Sequence, residues 1–233
     1  MEKNGASLTM QLSDYFLDSF DHIRKEEEVP YYIEAKIKSL ACVIMPSDQN
    51  VIMNNIIKND KAGLVFKYLE KNRILVHVFG PLYWLSLVPQ DKALSKNAFE
   101  HAIKVIDEVP VDYEILRWVA LFHDIGKHKS HTEDSNFNKH ALYSYQQAGY
   151  YCDVFGLKER VKICSIVKNH MFPLDYQREP NWTDDAFVRF IDRCDGCALE
   201  TAEFAYYDKK AENNVEEYLK PLLTFREEIK KRL

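Results

Sequence analysis

The sequence predicts an all-α protein, and three observations carry that prediction. Apolar residues recur at helical spacing along most of the chain. Only 7 glycines and 8 prolines interrupt 233 residues, which favours long helices over a sheet. No alternating segment makes a convincing strand.

The elements follow in order. Leu8, Leu12, Phe16, Phe20 and Ile23 repeat as one helical face, and the run Glu26-Glu27-Glu28 is its solvated end. Ile33, Ile37, Leu40, Ala41 and Ile44 mark a second helix, with Pro30 at its first turn and Pro46-Ser47-Asp48 ending it. Asp60 is placed to cap a third, short helix carrying Leu64 and Tyr68. An apolar stretch over Leu75–Leu87 should break at Gly80-Pro81. Phe99, Ala102, Ile103 and Ile106 form the next apolar face. Ile115 to Phe122 has Arg117 as its one charge, so that helix is expected to be buried on nearly all sides, with Gly126 stopping it. A loop from Lys127 to about Asn136 is expected next, then a helix with His140, Ser144, Ala148, Tyr151 and Phe155 on one stripe, ended by Gly156. A helix from Lys158 to His170 should be closed by Pro173, another should start near Thr183, and the last should run from Asn213.

Composition narrows the function. Hydrophobic residues make up 46% and aromatics 13%, ample for a core. The net charge of −5 exerts no general pull on nucleic acid or anionic membrane, so DNA is not an expected partner and any hold on phosphate must be local. No apolar run has the length of a membrane span, and the N-terminus leads into polar residues. Five cysteines, an odd number embedded in helical patterns, read as a reduced, cytoplasmic protein. Oligomeric state is left open.

The chemistry concentrates in a few residues. His123-Asp124 ends the buried helix, where a charged carboxylate is costly unless paired or bound to a metal. Asp195 poses the same problem inside the stripe Val188, Ile191, Ala198 and Ala202. His101 lies between the polar and apolar faces of its helix, and His140 and His170 sit near the ends of amphipathic helices. A lone histidine in such a place is commonly a hydrogen-bonded core residue, and a buried aspartate is commonly met by an arginine, for which Arg117, Arg189 and Arg193 are candidates. A single metal ion would explain all these placements at once. Cys194-x-x-Cys197 lacks further ligands at zinc-site spacing and reads as core, Tyr150-Tyr151 and Tyr206-Tyr207 read as packing, and Lys127-His-Lys-Ser-His131 is either a solvated loop or a lip that guides substrate.

Asn97-Ala-Phe-Glu-His101, Leu121-Phe-His-Asp-Ile-Gly-Lys127, Phe137-Asn-Lys-His140, Val167-Lys-Asn-His-Met171 and Arg193-Cys-Asp195 together resemble the ordered motifs of the HD superfamily. The order and spacing are most similar to the HD region of CCA-adding tRNA nucleotidyltransferases and bacterial poly(A) polymerases, with helices back to about residue 30 resembling their neck. The resemblance implies an HD-domain helical bundle at residues 93–233, with an N-terminal helical region at 1–92 packed on it. It implies that His101, His123, Asp124 and Asp195 are metal ligands, with Asp192 as a competitor for the last place. Lys127 would contact phosphate. His140 and His170 would bind substrate phosphate or a second metal; one metal is the expectation, since no carboxylate accompanies these two in sequence. Asp124 and Lys127 would be the catalytic pair. No nucleotidyltransferase head precedes the neck-like helices, so nucleotide addition is not expected. Ser144 stands where relatives often carry glycine, a change that could tune access to the site.

Imidazole with carboxylate suits Mn, Fe, Co, Ni or Zn better than Mg. The resemblance therefore implies a divalent-metal-dependent phosphohydrolase acting on a phosphomonoester or phosphodiester of a nucleotide or RNA end, with 2′,3′-cyclic phosphates and 2′- or 3′-phosphates favoured. Hydrolysis of free nucleotides or alarmones is the alternative enzyme reading. A metal-stabilised RNA-binding or regulatory module without turnover is the third.

Overall fold

In a computed structural model the chain is described over residues 3–92, 94–134 and 139–233, with side chains over 12–90, 94–132 and 139–233. Leu8 and the block Phe137-Asn138 lie outside the described side chains. Helices dominate, as the sequence predicts. The N-terminal part comprises α1 (Lys3–Arg24), α2 (Tyr31–Leu40), α3 (Pro46–Ile57), α4 (Ala62–Lys71), α5 (Leu75–Val78) and α6 (Gly80–Trp84). The remainder comprises α7 (Ala98–Glu108), α8 (Glu114–Phe122), α9 (Lys127–Asp134), α10 (His140–Val154), α11 (Arg160–Asn169), α12 (Phe172–Arg178), α13 (Asp184–Arg193), α14 (Ala198–Glu212) and α15 (Glu216–Lys230).

Several local expectations change. Pro46 opens α3 rather than ending α2: it stands at the first helical position, where its missing N–H costs nothing, and Asp48 accepts the Met45 N–H at 2.9 Å. Pro173 likewise begins α12 instead of only closing the helix before it. Asp60 does not cap α4; the Asn59 side chain accepts the Lys61 N–H at 2.8 Å. The expected loop after Lys127 is helical to Asp134. A small antiparallel pair, β1 (Pro89–Lys92) with β2 (Ser95–Asn97), leads into α7 where no strand was expected. Its strands are too short for alternation to register.

The main core runs from Leu12 on α1 to Ala211 on α14, so the N-terminal helices and the later bundle share one apolar interior. Behind the C-terminal end of α8, Trp118 and Phe122 pack against Phe155, and Phe79 meets Phe122 edge-on at 5.9 Å between ring centroids. This aromatic cluster fixes the point at which α8 delivers His123. Gly156, with φ +67, ends α10 as expected, and the Leu157 N–H returns to the Cys152 carbonyl at 2.8 Å. A second apolar cluster joins Tyr176, Phe187, Phe190, Phe225 and Ile229, pinning α12, α13 and α15 together.

Arg117 is buried with no direct ion pair among the described residues, although Asp107 and Asp60 lie near enough to favour its charge. It donates to the carbonyls of Ile57 at 2.6 Å, Asn59 at 2.6 Å, Ile106 at 3.0 Å and Val109 at 2.8 Å. Its hydrogen-bond partners are thus carbonyls at the C-terminal ends of α3 and α7, which ties α8 across both halves of the core. Arg117→Leu strips these carbonyls of their donor and should cost about 3 kcal/mol. Thermal denaturation is expected to show Tm lowered by roughly 6 to 12 °C.

Candidate metal centre

Five helices and one tight turn bring the charged residues together. Asn97 caps α7 by accepting the Glu100 N–H at 2.8 Å, while Glu100 accepts the Lys96 N–H at 2.8 Å. That fixed first turn carries His101 inward, where it is fully buried. The chain then leaves α8 through His123-Asp124-Ile125-Gly126 before α9 begins. Gly126 is needed here for space. A Cβ on it would stand 2.4 Å from both the His140 carbonyl oxygen and the Ser144 nitrogen of α10. The Gly126 N–H donates to the Ser144 hydroxyl at 2.9 Å, so the residue read as tuning access instead locks the turn to α10. His140 opens α10, His170 closes α11, and Asp208 projects from α14.

The side chains converge closely. His101 Nε2 lies 2.8 Å from Asp208 Oδ1 and 4.0 Å from Asp124 Oδ2. His123 Nε2 lies 3.2 Å from Asp124 Oδ2 and 3.7 Å from Asp208 Oδ1. On the other side of the same carboxylate, Asp124 Oδ1 is 3.5 Å from His140 Nε2, which is 3.3 Å from His170 Nε2. Lys127 Nζ donates to Asp124 Oδ2 at 2.6 Å. Two groups of possible ligands result, His101 with His123 and Asp124, and Asp124 with His140 and His170, sharing Asp124.

The ring tautomers show what this arrangement is suited to hold. His123 Nδ1 donates to the Ala120 carbonyl at 2.9 Å, and His170 Nδ1 donates to the Val167 carbonyl at 2.7 Å. In their neutral forms both rings therefore turn Nε2 lone pairs inward, and His123 Nε2 has no hydrogen-bond partner although two carboxylates surround it. Lone pairs facing carboxylate oxygens repel unless a positive charge stands between them. Burial pushes the His123 pKa down, but Asp124 and Asp208 outweigh it and raise the value. Burial likewise acts to raise the Asp124 carboxyl, yet His123, Lys127 and His140 hold it well below the usual carboxylate range. Burial and the neighbouring histidines push His170 down to about 3, so it is neutral and free to ligate at neutral pH. Oriented imidazoles and ionised carboxylates fit a divalent cation of the borderline transition series.

Asp195 does not reach this cluster. Helix α13 buries Phe187 and Phe190 and leaves Val188 exposed, so the stripe that included Asp195 was out of phase. The chain then turns through left-handed Asp195 (φ +48) and Gly196 (φ +77), which separates α13 from α14 and leaves Asp195 exposed. Asp192 is exposed as well. Asp208, rather than Asp195, lies beside His101 and His123. Its signal was legible: Thr201, Phe204, Ala205, Asp208 and Ala211 lie at helical spacing, and all are buried.

Replacing Asp208 should therefore weaken metal retention by at least about a hundredfold, since loss of even an outer-sphere partner costs 10- to 100-fold. Asp195→Ala should retain metal as the unaltered protein does. Equilibrium dialysis against Mn or Co, read by elemental analysis, checks both outcomes; a reversed pattern would restore Asp195. A comparison with curated proteins finds no match to this chain. Residues 95–197 match the family model described as HD domain, a stretch that contains His101, His123, Asp124, Lys127, His140 and His170 and stops short of Asp208, and the match supports an HD-superfamily protein.

Proposed function

We propose that this chain is a metal-dependent phosphohydrolase acting on a phosphomonoester or phosphodiester of a nucleotide or an RNA end. One observation carries the reading: buried imidazole lone pairs and two carboxylates converge on a cavity whose lining also holds Lys127, Arg178 and Lys209 beside Glu212. HD domains bind divalent metals and are typically metal-dependent hydrolases, which supports the same class. The cavity, of about 470 Å³, is lined by Asp124, Lys127, His140, His170, Arg178 and Lys209, among others. That size admits a nucleotide. The preference for 2′,3′-cyclic and 2′- or 3′-phosphates rests on the motif resemblance to CCA-adding enzymes.

His101, His123, Asp124 and Asp208 would hold a divalent metal. When bound, such a metal supplies the acidity that makes a water nucleophilic near neutral pH and neutralises charge on phosphoryl oxygens. The chain's own residues do the rest. Ala120 and Val167 carbonyls keep His123 and His170 in the ligating tautomer. Lys127, at the junction of Asp124 and the cavity, offers positive charge to a phosphoryl oxygen, while Arg178 and Lys209 line the cavity already paired with Asp175 and Glu212. His140 and His170 face the same cavity. The expectation of a single metal rested on their lacking a carboxylate in sequence; Asp124 Oδ1 supplies one from another element and favours a second metal position.

Asp124→Ala should abolish hydrolysis across a panel of cyclic nucleotides, mononucleotides and RNA ends assayed with Mn, Co, Ni and Zn, because both halves of the centre lose their shared carboxylate. Lys127→Ala should keep its metal and lose turnover by about a hundredfold, the scale for one transition-state donor. An unaltered protein that turns over nothing in this panel while binding RNA would instead be a binding module. For the second position, His140→Ala and His170→Ala should each lower bound metal from two per chain toward one. Unchanged metal content with a raised KM would assign these histidines to the substrate phosphate.

A further inference from the structure

A second cleft, of about 380 Å³, lies along the groove between α10 and α11 and is separate from the metal cavity. Its walls include Tyr145 and Tyr150 from α10, Arg160 and Lys168 from α11, and Arg193 from the end of α13. Three cations thus face one carboxylate, Asp195, in a protein whose overall charge is −5. Arg160 is partly neutralised by Asp153, 3.6 Å away. Lys168 and Arg193 make no ion pair among the described residues; Lys168 lies over the Tyr145 ring at 5.4 Å, and Arg193 over the Phe172 ring at 4.2 Å. Arg193 is also held by the Asn169 side-chain oxygen, which accepts from its Nε at 3.1 Å. Asn169 is itself buried and anchored on the Ser165 carbonyl at 2.9 Å. The guanidinium is therefore fixed through Nε, and its two terminal nitrogens remain to meet an anion.

The tyrosines complete the pattern. Tyr150, read from sequence as a packing residue, is 64% exposed, and Tyr145 is 37% exposed. Phenol faces beside unneutralised cations match a ligand with both a planar ring and a phosphate. We infer that this cleft binds a nucleoside phosphate, its phosphate on Lys168 and Arg193 and its base against Tyr150 or Tyr145. Asp195 lies on the rim of this cleft, where it opposes anions and so limits binding to ligands that also gain from stacking. The ligand chemistry is shared by a free nucleotide and by a nucleotide within a strand. The cleft adjoins the metal centre through one peptide, because Asn169 lines it and His170 lines the other cavity.

Binding here needs neither metal nor turnover, so the test is separable from the phosphohydrolase reading. Fluorescence anisotropy of a short fluorescein-labelled oligoadenylate is titrated with full-length protein in chelator, with AMP as competitor. Lys168→Glu and Tyr150→Ala should each weaken binding about tenfold. Lys168→Glu should also flatten the salt dependence by roughly one phosphate contact, a change that general destabilisation would not produce. Lys71→Glu, at the exposed end of α4 and lining neither cavity, should bind as the unaltered protein does. Competition by AMP supports a free nucleotide as the ligand, and binding of the oligonucleotide without competition supports a strand. Absence of binding to either probe, or binding retained in both Lys168→Glu and Tyr150→Ala, overturns the assignment.

Discussion

Two carboxylates, Asp124 and Asp208, meet three imidazoles where almost no water reaches, and every element around them is arranged to make that meeting tolerable. Removing such charges from water costs several kcal/mol each unless opposite charge is supplied. The protein supplies part of it through Lys127 and leaves imidazole nitrogens oriented for the rest. Packing follows from this constraint. The aromatic cluster behind Phe122 holds the end of α8 rigidly, and Ser144 locks the following turn to α10. Both devices limit the spread of distances among groups that must stay within reach of one cation.

The centre has two halves joined at one residue. Asp124 turns one oxygen toward His101 and His123 and the other toward His140. His140 and His170 belong to helices packed on each other, and these helices also pack on α8 and, for α11, on α14, so the two halves are braced against one another. The nucleotide cleft inferred along α10 and α11 shares a wall with the half that holds His140 and His170. Occupancy there and geometry at His170 therefore bear on the same helix.

Much of this was legible in the sequence, and the failures have physical causes. His101, His123, Asp124, His140 and His170 fall in the ordered blocks that resemble the HD superfamily, and that resemblance, rather than helical period, implied that they share one site. Asp195 could not be placed correctly by period alone. A stripe drawn through Val188, Ile191, Ala198 and Ala202 assumes one continuous helix, whereas Asp195-Gly196 turns left-handed and resets the phase. Gly196 was the available warning. Asp208 was hidden by the same error, since it becomes conspicuous only when α14 is read as a separate helix. Pro46 and Pro173 were read as stops because proline both ends and begins helices, and the distinction depends on which neighbouring segment has a core to join.

Arg117 has a consequence for modularity. It belongs to the stretch that matches the HD family model, yet two of its four carbonyl partners, at Ile57 and Asn59, lie well before that stretch begins, and Asp208 lies after it ends. A fragment trimmed to the matched residues would keep most of the residues proposed to hold a metal while depriving a buried guanidinium of two of its acceptors and losing Asp208 from the cluster. The stretch that matches the family model and the stretch that satisfies its buried groups are therefore different in this chain. Domain grafts or chimaeras that exchange the motif alone would transplant the ligands without the scaffold that gives them their shape.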